Sequence, residues 1–314
     1  MSKIFVTGAT GFMGKPLVAA LVQRGDQVVA LSRKAATARE RLGSSPSVEI
    51  VEGDPQYAGS WQARVSGCTA VVHLAGEPVG THRWNTRVRQ ILRDSRVDGT
   101  RRLVEAIGAA PADARPRALV SASGIDYYPL DVDVRGMDDD DQVDESTGPG
   151  DHFLARVCAD WEAEAREAEG LGLRVVLMRT GLVVGGSGGA MDKWAAAFRR
   201  HVGGRLGNGR QWVTWIHLDD ALAAYLFALD HAALAGPVNL VAPGRLRNAE
   251  FARQLGESMG KPSWLPVPGP ALRLAVGGMA EYLLAGRPAV PGALLRAGFT
   301  FRHQRPFGDV PPSG

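Results

Sequence analysis

The chain has 314 residues, 45% of them hydrophobic and 22% charged, with a formal net charge of +3. That is enough apolar chain to bury a full layered core and a smaller lobe. It excludes a bilayer span, since no apolar stretch is long enough, and it carries no internal repeat and no signal-peptide pattern ahead of the first strand.

Lys3-Ile4-Phe5-Val6-Thr7 reads as a short β-branched and aromatic strand. It passes through Gly8-Ala9-Thr10-Gly11-Phe12-Met13-Gly14 into Pro16-Leu17-Val18-Ala19-Ala20-Leu21-Val22, which has helical apolar spacing. Strand, glycine turn and helix together make a phosphate cradle. Gly8 permits the tight turn, Gly11 lets backbone amides approach a pyrophosphate, and Gly14 lets helix and strand pack closely. Thr10, Phe12 and Met13 line the same turn. The pyrophosphate sits at the helix N-terminus, where unpaired N–H groups and the helix dipole favour negative charge. The plain alternative is a glycine-rich turn with no ligand. A second strand, 27–32, lies beyond the helix and favours a dinucleotide.

The end of that second strand points to the kind of dinucleotide. NAD sites place an acid there for the ribose 2′-OH. Here Ser32-Arg33-Lys34 offers a hydroxyl and two cations. Arg33 can fork onto a 2′-phosphate and Ser32 can donate to it, with Lys34 as a neighbouring helper, so NADP(H) is expected.

Further strands are predicted at 48–52, ending in Gly53-Asp54; at 70–74, ending in Ala75-Gly76-Glu77; at 118–123; and at 174–179, ending in Thr180-Gly181. Long helices are predicted over about 85–108 and 151–170. This alternation predicts an α/β fold, a doubly wound parallel sheet (Rossmann fold) with ligands at the carboxyl ends of the strands. Residues 1–180 form the dinucleotide-binding part. Residues 181–314 form a smaller mixed α/β substrate lobe, with chain returning to the sheet around 213–242. The glycine-rich segments 185–189 and 203–209 read as mobile connections. The acidic run Asp138-Asp139-Asp140-Asp141 reads as solvated surface. Cys68 and Cys158 have no metal or redox spacing, which fits a reducing cytoplasm. Lysine and arginine are scattered except between Arg83 and Arg102, a stretch without interleaved aromatics that reads as a solvated helix face. A small-molecule substrate is therefore expected, with no metal, nucleic acid or membrane as partner.

The strand-end residues carry a resemblance. Gly8 to Gly14, Asp54, His73-Leu74-Ala75-Gly76 and the serines after the fifth strand resemble the extended short-chain dehydrogenase/reductase superfamily. Arg83-Trp84-Asn85, Ser95-Arg96-Val97, Asp126-Tyr127-Tyr128, the segments 153–162 and 179–185, and Trp215-Ile216-His217-Leu218-Asp219-Asp220 resemble its atypical branch of NAD-dependent epimerase/dehydratase-like, nucleoside-diphosphate-sugar-epimerase-like proteins. The tail from Asn248 to Phe301 resembles that branch's small C-terminal module. The resemblance implies that Asp54 accepts from the adenine amino group. It places Ala75 and Gly76 along the nicotinamide-side ribose, with Leu74 and Glu77 beside them as further cofactor-binding residues, and Thr180, Gly181 and Leu182 near the nicotinamide. The bland readings are a turn cap for Asp54 and a mere strand terminus for Ala75-Gly76.

The resemblance breaks at the catalytic pair. Typical members use a serine and a Tyr-x-x-x-Lys pair one helical turn apart. Ser123 matches the serine, but Leu154 and Cys158 fill the tyrosine and lysine slots. Tyr127 or Tyr128 is a substitute donor, with Asp126 or His152 as relay; Tyr128 reads rather as an aromatic wall of the pocket. Cys158 reads as a small buried helix residue rather than a nucleophile. Asp219 reads as a helix cap and His217 as a loop-ordering or substrate-touching residue. Arg83, Trp84, Trp194, Arg199, Arg200, Trp212 and Trp215 are candidate substrate lining, or simply core. Two functions stand: an NADP(H)-dependent oxidoreductase or epimerase-like enzyme for a small carbonyl or hydroxyl compound, using Ser123 and Tyr127, and a non-catalytic NADPH sensor or partner-binding protein.

Overall fold

The computed structural model describes residues 2–130, 142–186 and 188–308; the acidic run 138–141 lies outside them. In chain order the first half comprises β1 (Lys3–Thr7), α1 (Gly14–Gln23), β2 (Gln27–Ser32), α2 (Ala35–Leu42), β3 (Val48–Glu52), β4 (Ala70–His73), α3 (Thr86–Ala109), β5 (Ala118–Gly124), α4 (Phe153–Arg166) and β6 (Arg174–Thr180). There follow β7 (Leu182–Val184), α5 (Gly189–Arg199), β8 (Trp212–Val213), β9 (Trp215–His217), α6 (Leu218–Asp230), β10 (Gly236–Leu240), β11 (Leu246–Arg247), α7 (Asn248–Ser258), α8 (Gly269–Val276), α9 (Ala280–Leu284) and α10 (Gly292–Arg296).

Seven strands form one sheet in the order β10-β6-β5-β4-β1-β2-β3, every neighbouring pair parallel. The side-chain period of two sorts each strand between two cores. Ile4, Val6, Val28, Ala30, Val72, Val120, Val176 and Met178 face α1 and α6, where Leu17, Val18, Leu21, Ala221, Ala224 and Tyr225 meet them. Phe5, Val29, Leu31, Val71, Leu119, Val175 and Leu177 face α3 and α4, meeting Leu103, Ile107 and Ala165. Strands covered on both faces read as continuous apolar runs, as these do. Burying each of their large aliphatic side chains contributes about 1.5–3 kcal/mol.

The chain runs outward from β1 to β3, then returns to β4 on the other side of β1. The reversal leaves a crevice outside the carboxyl ends of β1 and β4, where open α/β sheets bind ligands. β10 extends the opposite edge by pairing with β6. The remaining elements pack over the carboxyl end: Phe198, Trp215, Phe251 and Leu255 make one small core there, and Leu206, Leu272 and Ala280 another. No helix among the described residues is long and apolar enough to cross a membrane.

Candidate functional site

The turn after β1 is built for close backbone approach. Gly8 adopts φ +66°, and an added Cβ there would stand 2.8 Å from the Leu74 carbonyl carbon and 2.9 Å from the Ala75 nitrogen. A Cβ on Gly14 would run into the Gly8 carbonyl oxygen, so α1 starts against the strand it follows. The turn is closed by Gly11 N–H donating to Gly8 O at 2.9 Å. Among the described residues Met13 caps α1 without a side-chain hydrogen bond, so the cap itself does not compete with an anion at that helix end. The Phe12 ring sits against Gly188 and Gly189, which brings the glycine-rich segment after β7 onto the same turn.

At the end of β2, Arg33 is exposed and forms no ion pair among the described residues, while the Ser32 hydroxyl donates to Lys34 O at 3.2 Å. Sequence reading overlooked Glu52. From the adjoining end of β3 its carboxylate accepts the Ala35 amide at 2.8 Å and caps α2 beside Arg33 and Lys34. Only strand pairing could have revealed it, since 17 residues separate the partners. Asp54 accepts the Gln56 amide at 3.0 Å, forming the turn cap weighed as its bland alternative; it stays half-buried at the end of β3.

The crevice floor is tied together by His73. Its Nδ1 lies 2.6 Å from Thr7 Oγ1 and its Nε2 3.0 Å from Thr100 Oγ1. The Thr100 hydroxyl spends its proton on the Arg96 carbonyl at 2.6 Å, so Nε2–H donates to Thr100. Nδ1 is then the acceptor for the Thr7 hydroxyl, whose oxygen receives the Leu74 and Ala75 amides at 3.2 Å each. Burial pushes His73 down to about 4, so the ring is neutral and fixes β1, β4 and α3 as one unit. The next residues are pinned from α3 as well, Glu77 N–H donating to Ser95 Oγ at 3.1 Å. Leu74, Ala75 and Glu77 are half-buried and Gly76 is exposed along the crevice.

At the carboxyl end of β5 a buried polar network begins. Ser123, 5% exposed, donates to Glu162 Oε1 at 2.7 Å. Arg179 on β6 grips the same carboxylate with Nε and Nη2, both at 2.8 Å, and donates from Nη1 to Tyr128 Oη at 2.9 Å. Tyr128 then donates to Asn239 Oδ1 on β10 at 2.6 Å. Burial alone would lower Arg179's proton affinity, but the Glu162 pairing outweighs it and raises it; burial pushes Tyr128 up to about 12. Tyr128 is therefore locked in the core, which corrects its reading as a pocket wall.

Tyr127 is half-buried, its ring 3.5 Å from the Arg179 guanidinium carbon and edge-on to Tyr128. Its proposed relays are already engaged. Asp126 pairs with Arg287 at 3.0 Å. His152 caps α4 through Nδ1, which accepts the Ala155 amide, so its Nε2–H donates to Tyr128 O at 2.9 Å. Cys158 is buried, its thiol pushed up to about 12 chiefly by burial, which leaves it inert as a nucleophile at neutral pH.

Several candidate lining residues are core. Trp84 is buried, donates from Nε1 to Val79 O at 2.8 Å, and packs against Phe153 and Tyr282, tying the loop after β4 to α9. Trp215 is fully buried and Trp194 stacks on Phe251. Trp212 lies under the Arg247 guanidinium, while Arg83, Arg199 and Arg200 are exposed. Thr180 donates to Met178 O at 2.9 Å, and Leu182 N–H to Thr214 O at 2.8 Å, which sets the start of β7 near the crevice. The cap of α6 is His217 rather than Asp219: its Nδ1 accepts the Asp219 amide at 3.3 Å. His217, Asp219 and His303 bring potential ligand atoms within 4.8 Å of one another, a grouping that sequence reading missed. The two imidazoles stack at 3.6 Å there, and the His217 Nδ1 lone pair is already used by the cap.

Residues 4–241 match the NAD dependent epimerase/dehydratase family, and residues 267–305 match a domain of unknown function, DUF1731. An epimerase family protein of Mycobacterium bovis is 39% identical over 301 residues, covering 96% of this chain and 93% of its own. The chloroplastic SDR39U1 homologue of Arabidopsis thaliana is 36% identical, covering 96% of this chain and 83% of its own. Among solved structures, human epimerase family protein SDR39U1 (isoform 2), crystallised with NADPH, superposes with a TM-score of 0.81 at 31% identity, covering 96% of both chains. With its glycine cradle, its seven-stranded sheet and its C-terminal module, this chain belongs to the NAD dependent epimerase/dehydratase family.

Proposed function

We propose that the chain binds NADP(H) across the carboxyl ends of β1, β2 and β4 and is an oxidoreductase or epimerase-like enzyme acting on a small carbonyl or hydroxyl compound. The observation that carries this is the cradle: among the described residues α1 opens without a side-chain cap against a turn whose Gly14 has no room for a Cβ, and Arg33 at the next strand end forms no ion pair. Crystallisation of the human SDR39U1 protein with NADPH supports the phosphorylated dinucleotide. Glu52 accepts the first α2 amide beside Arg33, which leaves the Arg33 fork as the group suited to a 2′-phosphate.

A bound nicotinamide supplies the hydride chemistry. The chain's own contribution is to exclude water, orient the substrate and move a proton. Tyr127 is our candidate for the proton-carrying group, because Tyr128 is committed to Asn239 while the Tyr127 hydroxyl makes no hydrogen bond among the described residues. Ser123 gives its proton to Glu162 and so steadies the Arg179 guanidinium under the Tyr127 ring; to serve substrate directly it has to exchange that bond. The test is NADPH oxidation across a panel of small ketones and aldehydes. Tyr127→Phe should abolish any turnover found, and Ser123→Ala should reduce it. Full rates in both variants would contradict these roles.

A second reading, a cofactor-binding protein without turnover, is favoured by Leu154 and Cys158 in the slots of the usual proton relay and by the commitment of Ser123 to Glu162. Tight NADPH binding with no oxidation across the panel would support it.

A further inference from the structure

The sequence puts an uncharged thiol, Cys158, where α4 would carry a lysine, and the structure puts a different cation at that spot. Arg96 comes from the neighbouring helix α3. Its guanidinium carbon lies 5.3 Å from the Trp161 ring centroid on α4, and a Cβ built on Gly76 would stand 3.4 Å from that carbon and 3.6 Å from Nη2. Gly124, at the end of β5, faces the same place: a Cβ there would lie 3.5 Å from Cys158 Sγ and 3.8 Å from Asp126 Oδ2. The acids acting on Arg96 are Asp126 and Glu77, and Arg96 in turn acts on the Cys158 thiol. Arg96 therefore sits at the junction of the β4 and β5 ends.

Its hydrogen bonding is incomplete. Nη1 donates to Leu92 O of its own helix at 3.0 Å, and among the described residues the guanidinium forms no ion pair. Three other arginines on α3 behave differently. Arg93 pairs with Asp160, Arg101 with Glu164, and Arg102 with Glu105, all on the exposed face. Arg96 alone of these four turns inward, with most of its five N–H donors uncommitted beside the backbone of Gly76.

We propose that Arg96 supplies, from α3, the fixed positive charge that position 158 lacks, and that it holds the nicotinamide-side ribose of the bound dinucleotide over Ala75 and Gly76. This rests on the dinucleotide reading above. A guanidinium keeps its charge at every physiological pH and presents its donors in a planar fork, which suits the vicinal hydroxyls of a ribose. No bond is made or broken: Arg96 is a binding and positioning residue.

The test uses the full-length protein and two ligands, NADPH and 2′,5′-ADP, the latter sharing the adenine half and lacking the nicotinamide half. Calorimetry of Arg96→Met should show NADPH weakened on the order of tenfold or more, the loss of a charge-assisted hydrogen bond, with 2′,5′-ADP changed less than about twofold. Adding Cys158→Lys to Arg96→Met should restore part of the NADPH affinity by returning a cation to the same place from α4. Where Arg96→Met loses its circular-dichroism signal, Arg96→Gln, which keeps a donor for Leu92 O, serves instead. Unchanged NADPH affinity in a folded variant overturns the role of Arg96 and leaves the cofactor reading intact. Equal weakening of both ligands makes Arg96 a structural residue and also overturns it. If the unaltered protein binds neither NADPH nor NADH, the dinucleotide reading and this inference fall together.

Discussion

His73 offers a quantitative check on the crevice floor. Unfolded, its imidazole titrates near the ordinary 6.5; folded, burial between Thr7 and Thr100 holds it at about 4. The folded state thus refuses a proton that the unfolded state accepts between those two values. The stability contributed by the depressed value is fully present above pH 6.5 and is lost as pH falls toward 4. At 1.36 kcal/mol per pKa unit, the fall from 6.5 to about 4 corresponds to about 3 kcal/mol lost between pH 7 and pH 4 through this one ring. The perturbation is His73→Leu, which removes the titration and leaves the Thr7 hydroxyl without its acceptor, costing roughly 1–3 kcal/mol at pH 7. Urea unfolding of both proteins at pH 7, 6, 5 and 4.5 separates the two effects, because every other titrating group is shared. The stability gap should shrink as pH drops, the wild type losing stability faster than the variant and falling below it where the gap at pH 7 is under about 2 kcal/mol. Parallel pH curves would refute the claim that His73 is buried neutral, and with it the assignment of Nδ1 as acceptor.

Two further predictions follow from the site. Glu162→Ala leaves Arg179 buried and unpaired beneath Tyr127, and should cost about 3–5 kcal/mol in denaturant unfolding. Pairing it with Arg179→Met should recover most of that loss, whereas a cost under about 1 kcal/mol for the single variant would show that the network does not hold. Arg33→Glu should weaken NADPH far more than NADH, since a 2′-phosphate then meets like charge; equal weakening would remove Arg33 as the basis of the preference.

The fold was legible because its signals are local. Continuous apolar runs along β1, β2 and β4 mark chain covered on both faces, and Gly8 to Gly14 announces a strand-to-helix turn within one window. The strand ends at Gln27–Ser32 and Val48–Glu52 fall where residue type alone puts them. What stayed hidden depends on contacts between distant segments. Glu162 looks like one more acid on an exposed helix until β6 brings Arg179 to it, and Tyr128 meets Asn239 across 111 residues. By residue type Arg96 belongs to a solvated basic face. Three of its neighbours on α3 fit that description, but helix phase turns Arg96 toward Gly76. Trp84 and Trp215 failed as pocket lining for a simpler reason, as large aromatics fill the space between the sheet and the C-terminal elements.

The central claim is that the cradle between β1 and β4 holds a phosphorylated nicotinamide dinucleotide. Titration of the purified protein with NADPH and with NADH, followed by cofactor fluorescence and by calorimetric heat, tests it most directly. The account predicts saturable binding of both with NADPH the tighter, and loss of both in Gly11→Val, where a branched side chain stands in the way of the phosphates. No binding of either dinucleotide, or equal affinity of Gly11→Val and the unaltered protein, would contradict it.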